Sequence, residues 1–279
     1  YLVGNFTGSP DFDPGQGSSN EYIMSSYGAN DVFLAEYDYS GYLYGVLQIG
    51  GVGNEYATDM VLDANDNPVL TGSFTSTANF GMDWWTESWV YLTSSGDSDI
   101  FLARYPSFSS QESISSASTG TQGSKGGSPG QIFAAASFGG PGPDMGTSVH
   151  VDDAGNIILG GIFKGVNIDF NPGNDTNAIS SKSNSTDIFL AKYDWDFNYM
   201  SAIGLGGTSN NDMLHDIEYL NNKIYLAGYF SGTNVDFDPR AGTAYLTAAT
   251  PDIFYAKYLN TNPPGINSLQ TTSASDTSL

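Results

Sequence analysis

The chain has 279 residues, enough for one or two domains with a sizeable core, and its 39% hydrophobic and 14% aromatic content excludes compositional disorder. Thirty acidic residues against eight basic ones give a formal charge of −22, which excludes nucleic acid and anionic membrane surfaces as partners, because both need clustered Lys and Arg. The absence of Cys excludes a disulfide framework and thiolate chemistry, while 34 Gly and 12 Pro point to many turns between short strands, an all-β profile.

The acidity also has a plain reading, solubility outside the cell. No run reaches the roughly 18 apolar residues of a membrane span. The chain opens on Tyr1-Leu2-Val3-Gly4, inside a strand-like pattern and without Met or signal peptide, so it reads as processed or truncated.

In chain order, Leu2-Val3-Gly4-Asn5-Phe6 predicts a first strand, followed by an Asp11-Phe12-Asp13-Pro14-Gly15 loop. A strand Asp-Val-Phe-Leu-Ala-Glu-Tyr at 31–37 comes next, then an apolar strand at 42–49. The second unit opens on Gly50-Gly51 and Glu55, continues through a short strand at 60–63, and turns at Ala64-Asn65-Asp66-Asn67, residues that tolerate positive φ. The 68–74 strand ends Leu70-Thr71-Gly72-Ser73-Phe74, matching the first strand of the chain. An insertion carrying Trp84, Trp85, Trp89 and Tyr91 precedes Asp-Ile-Phe-Leu-Ala-Arg-Tyr at 99–105. Residues 106–130, mostly Ser, Gly, Thr and Gln, read as a mobile loop before the strand at 132–138.

The third unit repeats the order: Gly139-Gly140, Asp144, a turn at 153–156, Leu159-Gly160-Gly161-Ile162-Phe163, the loop Asp169-Phe170-Asn171-Pro172-Gly173, Asp-Ile-Phe-Leu-Ala-Lys-Tyr at 187–193, and an apolar strand at 199–205. The fourth has Gly206-Gly207, Asp212, Leu226-Ala227-Gly228-Tyr229-Phe230, the loop Asp236-Phe237-Asp238-Pro239 and Asp-Ile-Phe-Tyr-Ala-Lys-Tyr at 252–258. The tail, 259–279, is Pro-containing and then Ser- and Thr-rich, and reads as a linker.

Each full unit therefore reads as four strands, A to D, with the Asp-Ile-Phe-Leu-Ala-Lys-Tyr motif as C. Its copies are spaced by 68, 88 and 65 residues. Strand C is apolar on both faces, as in a sheet sandwiched between two others. Such sheets bury both faces by stacking as a solenoid or by closing radially, and units of this size favour the radial β-propeller. The unit boundaries fall at about 1–49, 50–105 with an insertion to 138, 139–205 and 206–258. Counting strands gives about three and a half blades, which leaves a small ring closed by pairing the two ends or, as the resemblance described next implies, part of a larger ring completed by further blades.

These motifs resemble the bacterial SBBP-type β-propeller repeat family, over about residues 1–258. The resemblance weakens in the second unit, where the Asp loop decays to Asn79-Phe80-Gly81. It implies a propeller that is secreted or held at the outer cell surface, in a Bacteroidetes-like setting, and no particular activity. Gly265-Ile266-Asn267-Ser268-Leu269 resembles the approach to a type 9 secretion sorting domain, which makes that pathway an expectation too.

The Asp11/Asp13, Asp169/Asn171 and Asp236/Asp238 pairs set oxygens at i and i+2 in a tight turn, a pattern that suits Ca²⁺, and equally suits backbone amides that fix the turn. The recurring Asp31, Asp99, Asp187 and Asp252, with Arg104, Lys192 and Lys257 at a second repeat position, read as a structural ion pair or hydrogen bond between units. His150 and His215 are the only histidines and lie two residues out of alignment. No nucleophile elbow, phosphate loop or zinc motif is present. The expected function is an extracellular, non-enzymatic propeller module that binds a protein or glycan through Trp84, Trp85, Trp89 and Tyr91, whose rings equally suit a local apolar plug. The rival readings are a carbohydrate-active hydrolase with carboxylates in a central channel and a purely structural component of a surface assembly.

Overall fold

The computed structural model describes residues 1–13, 22–108, 130–208, 212–238, 243–261, 265–266 and 270–273. The first unit holds β1 (Leu2–Phe6), β2 (Asp31–Tyr37) and β3 (Leu43–Gly51). The second holds β4 (Glu55–Leu62), β5 (Pro68–Phe74), β6 (Thr77–Asp83), β7 (Trp89–Thr93), β8 (Asp99–Arg104), β9 (Gln131–Ile132) and β10 (Ala134–Phe138). The third holds β11 (Met145–Val151), β12 (Ile157–Phe163), β13 (Ile168–Asp169), β14 (Ala178–Ile179), β15 (Asp187–Tyr193) and β16 (Tyr199–Leu205). The last holds β17 (Met213–Leu220), β18 (Lys223–Asp236), β19 (Tyr245–Thr261), β20 (Gly265–Ile266) and β21 (Gln270–Ser273).

Within a unit the pairing is an antiparallel meander, β4-β5-β8-β10 in the second and β11-β12-β15-β16 in the third. The Asp-Ile-Phe-Leu-Ala-Lys-Tyr motif is the third strand, and β8 and β15 are buried along their whole length. The tail read as a linker contributes β20 and β21, both paired with β19. Most of the Ser/Gly stretch expected as a mobile loop at 106–130 lies outside the described residues.

The core is a series of apolar layers between consecutive sheets. Val32, Leu34, Phe74, Phe101 and Ala103 fill the first layer, Val69, Leu102, Phe138, Phe163 and Phe189 the second, and Ile158, Leu190, Leu226, Phe230 and Phe254 the third. Alternation along strand C explains this: Ile100 and Leu102 face one layer, Phe101 and Ala103 the other. Burial of one such Phe is worth about 1.5–3 kcal/mol.

The expected β-propeller does not form. The strands make five separate sheets, none closed or curled on itself. The four larger sheets pack in succession, β1 against β4, β4 against β11 and β11 against β17, and no strand pairing joins the first sheet to the last among the described residues. The physical reason is one of range. A repeat dictates hydrogen bonding inside a sheet, which is satisfied locally, whereas closure depends on the number of sheets and the angle between them, which no single unit encodes. The expectation of three and a half blades of a larger ring falls with it, and so does the central channel that the hydrolase reading required.

One polar clamp recurs in every unit. The Tyr that ends the strand C motif donates its hydroxyl to the carbonyl of the loop Phe: Tyr37 to Phe12 at 2.7 Å, Tyr105 to Phe80 at 2.8 Å, Tyr193 to Phe170 at 2.8 Å and Tyr258 to Phe237 at 2.9 Å. It survives in the second unit, where the Asp loop has decayed. Tyr193→Phe and Tyr105→Phe should each lower stability by about 1–3 kcal/mol in urea denaturation, because each leaves a buried carbonyl without its donor.

Candidate binding site

The second-unit insertion is the β6–β7 hairpin. It is joined to the first sheet by Gly50↔Asn79 and Gly51↔Ala78, and to β9 by Met82↔Gln131 and Asp83↔Ile132. Its tip is fixed by Asp83, whose Oδ1 accepts from the backbone amides of Trp85 and Thr86 and from the Thr86 hydroxyl. The hairpin is therefore a pinned element rather than a loose loop.

The four expected aromatic residues divide into two kinds. Trp84 is half-buried, its ring centroid 5.8 Å from that of Phe133 and its backbone amide donating to Ile132 O. Trp85, Trp89 and Tyr91 are 77%, 53% and 58% exposed. Strand alternation accounts for the last two: along β7, Trp89, Tyr91 and Thr93 face solvent while Val90 and Leu92 turn inward.

The hairpin borders two concavities. One, of about 230 Å³, is walled by Trp89 with Tyr22, Met24, Tyr27 and Gln48. The other, of about 580 Å³, is lined by Asp83, Phe133, Asn171, Asp196, Asn198 and Tyr199, bringing part of the third unit's Asp loop beside the hairpin. Aromatic faces with carboxylate and amide oxygens beside them are the groups that hold polyhydroxylated ligands.

The Asp loops are clamps of another kind. Oδ1 of Asp11 accepts from the amides of Asp13 and Tyr22, Oδ1 of Asp169 from Asn171 and Asn177, and Oδ1 of Asp236 from Asp238 and Ala244. One carboxylate oxygen thus closes the turn at i+2 and ties down the far side of the loop. In the decayed loop Asn79 Oδ1 keeps the i+2 bond to Gly81. No group of three or more metal-ligating side chains is gathered among the described residues.

The repeated basic position links neighbouring units. Lys192 Nζ lies 2.6 Å from Asp152 Oδ2 and donates to Asn260 Oδ1 of the next unit, while Asn260 Nδ2 donates to the same Asp152 oxygen. Burial opposes ionisation of Asp152, yet the bonds from Lys192, Asn156 and Asn260 hold its carboxyl down at about 2. Arg104 donates to Trp195 O in the third unit, and its guanidinium carbon lies 3.9 Å from the Trp195 ring centroid. His150 approaches Glu218 at 4.0 Å and His215 rests against Tyr229, so the histidines serve different neighbours.

Asp31, Asp99 and Asp187 are not the partners that Arg104 and Lys192 find. Asp31, Asp99 and Asp187 are buried at the end of their strands, beside Glu55, Asp144 and Asp212, the acids that follow the glycine pairs. The spacing of both sets is plain in the sequence, but their meeting across the sheet junction is not. Asp252 meets no further sheet among the described residues and is only half-buried.

No protein-family model matches the chain, and no curated protein matches it. The resemblance to SBBP-type propeller repeats is therefore not upheld, by the comparisons or by the separate sheets. The surface location and type 9 secretion that it implied lose that support. Among the described residues no helix is long and apolar enough to cross a membrane.

Lys192→Met should destabilise the protein by about 3–5 kcal/mol in chemical denaturation, because it leaves the Asp152 carboxylate buried without its counter-charge.

Proposed function

We propose that the protein is a non-catalytic binding module that works outside the cell and takes a neutral glycan on the β6–β7 hairpin. The propeller-borne form of this idea is withdrawn with the propeller. The observation that carries the reading is the hairpin itself: Trp85, Trp89 and Tyr91 stand in solvent on an element pinned by β3, β9 and Asp83. Large exposed rings cost solubility and are retained where a partner covers them. The carboxylate and amide groups of the adjoining cleft supply acceptors and donors for sugar hydroxyls. The strong negative charge disfavours anionic glycans. Catalysis, by contrast, asks for a positioned nucleophile or an accessible acid–base pair.

The two kinds of aromatic residue should separate by mutation. Trp85→Ala, Trp89→Ala and Tyr91→Ala should change stability by no more than about 0.5 kcal/mol each, while Trp84→Ala should cost about 1–3 kcal/mol. On an array of neutral glycans the triple variant of Trp85, Trp89 and Tyr91 should lose all signal. Binding that survives the triple variant, or that appears only as capture of a protein from an envelope extract, would reject the glycan assignment.

Calcium at the Asp11/Asp13, Asp169/Asn171 and Asp236/Asp238 loops belongs to the same proposal as a structural ligand. It is supported by oxygen-bearing side chains at i and i+2 of a tight turn. An ion that binds only the folded loop raises the melting temperature by linkage. A rise between chelator and millimolar Ca²⁺, lost in Asp169→Ala and Asp236→Ala, is the expected result; superimposable melts would remove calcium from the account.

A further inference from the structure

At each junction between consecutive sheets, two acids are enclosed together. Asp31 meets Glu55, Asp99 meets Asp144, and Asp187 meets Asp212, every one of the six no more than 2% exposed. The first glycine of each pair, Gly50, Gly139 or Gly206, makes room for the strand C Asp. An ideal Cβ on Gly139 would lie 2.6 Å from Asp99 Oδ1 and 2.9 Å from Asp144 Oδ2, so the two carboxyl groups face each other across that residue.

The surroundings supply N–H and O–H donors to most of the carboxyl oxygens. Asp31 accepts from the amides of Tyr27 and Gly28 and from Gln48, Glu55 Oε2 from Gly51, and Asp99 Oδ2 from Ser95. Asp144 accepts from Gly140 and Lys164, and Asp212 from Gly207 and Ser231. Two oxygens are left over: Glu55 Oε1 and Asp99 Oδ1 are buried without any hydrogen-bond partner. At the third junction the shortage is of hydrogens. The Ser185 hydroxyl has one hydrogen, yet lies 2.6 Å from Lys182 O, 2.7 Å from Asp187 Oδ1 and 3.1 Å from Gly207 O. A proton on Asp187 Oδ1 would donate to Ser185 and release the serine hydrogen to Lys182 O.

We propose that each junction is a proton-binding site, a carboxylic acid enclosed beside a carboxylate, with the proton on Glu55 Oε1, Asp99 Oδ1 and Asp187 Oδ1. A divalent cation fits worse. It needs about six to eight oxygens, whereas each junction offers two acids whose other contacts are N–H and O–H donors. The charged groups acting on each pair agree: Asp31 on Glu55, Asp99 on Asp144, and Asp187 with Lys182 on Asp212. Burial is the main cause that raises Glu55, Asp144 and Asp212 to about 7 and Asp187 to about 6, with Lys182 restraining the third pair.

The sign follows from linkage. An acid whose folded-state value exceeds its unfolded value holds its proton more tightly when folded. Its stabilising contribution is complete below the unfolded value of about 4 and is lost as pH rises through about 7. The sheets are therefore held together more firmly in mildly acidic solution, the reverse of acid denaturation by exposed ion pairs.

Thermal melts of the whole chain at about pH 5.5 and about pH 8.5 test this. The melting temperature should be at least about 5 °C higher at the lower pH. Glu55→Gln and Asp99→Asn, whose amides supply the missing hydrogen at every pH, should raise the alkaline value and shrink the difference. A variant that fails to fold does not leave the question open, because infrared spectra of the wild-type protein at pH 7 should contain the C=O stretch of protonated carboxyl groups. An absent band, a melting temperature that falls on acidification, or an alkaline value restored by Mg²⁺ or Ca²⁺ would each overturn the bound proton. None of these readouts involves the β6–β7 hairpin, so the result is independent of the glycan reading.

Discussion

Two enclosed acids at each sheet junction set the terms for the rest of this molecule. A carboxyl group taken out of water must find donors, and here it finds them in the backbone amides of the glycine pair and of the turn before strand C. Those bonds tie the end of one sheet to the start of the next. The first glycine of each pair is obligatory because the carboxyl of the strand C Asp occupies the volume where a Cβ would stand; at Gly50 it would lie 2.0 Å from Asp31 Oδ2. The apolar layers then fill the space that the junctions have defined.

The remaining polar groups divide by range. Asp63, Asp152 and Asp194 each fold a turn by accepting amides two and four residues ahead. The Asp loop and the strand-end tyrosine hold the B-to-C connection, and Arg104 and Lys192 reach into the following unit. All of this serves assembly, which is why it recurs. A hairpin stands between strands B and C in each of the last three units, as β6–β7, as β13–β14 and as the outer halves of β18 and β19, but of these only β6–β7 carries exposed Trp side chains, Trp85 and Trp89, so a ligand site there would not disturb the repeated contacts.

The basic residues show how a repeat can announce a link between units without naming its partner. Arg104 and Lys192 do bond to the neighbouring unit, at Trp195 and Asn260, while Asp31, Asp99 and Asp187 each lie beside another acid. Strand alternation explains the separation. Asp187 and Lys192 sit five residues apart on β15, at opposite ends of the strand, and only the three-dimensional junction decides which neighbour each finds.

The all-β class, the four-stranded unit and the place of the Asp-Ile-Phe-Leu-Ala-Lys-Tyr strand inside it were legible in the residues alone, because hydrophobic alternation and turn chemistry act over a few residues. Whether the sheets close was settled only by tertiary structure, and the answer is that they do not: five sheets remain separate. Tertiary structure alone also divided Trp84 from Trp85, Trp89 and Tyr91, and brought Glu55, Asp144 and Asp212 against the acids of strand C. Both outcomes depend on how one sheet lies against the next, a relation between residues far apart in the chain that a local repeat leaves open.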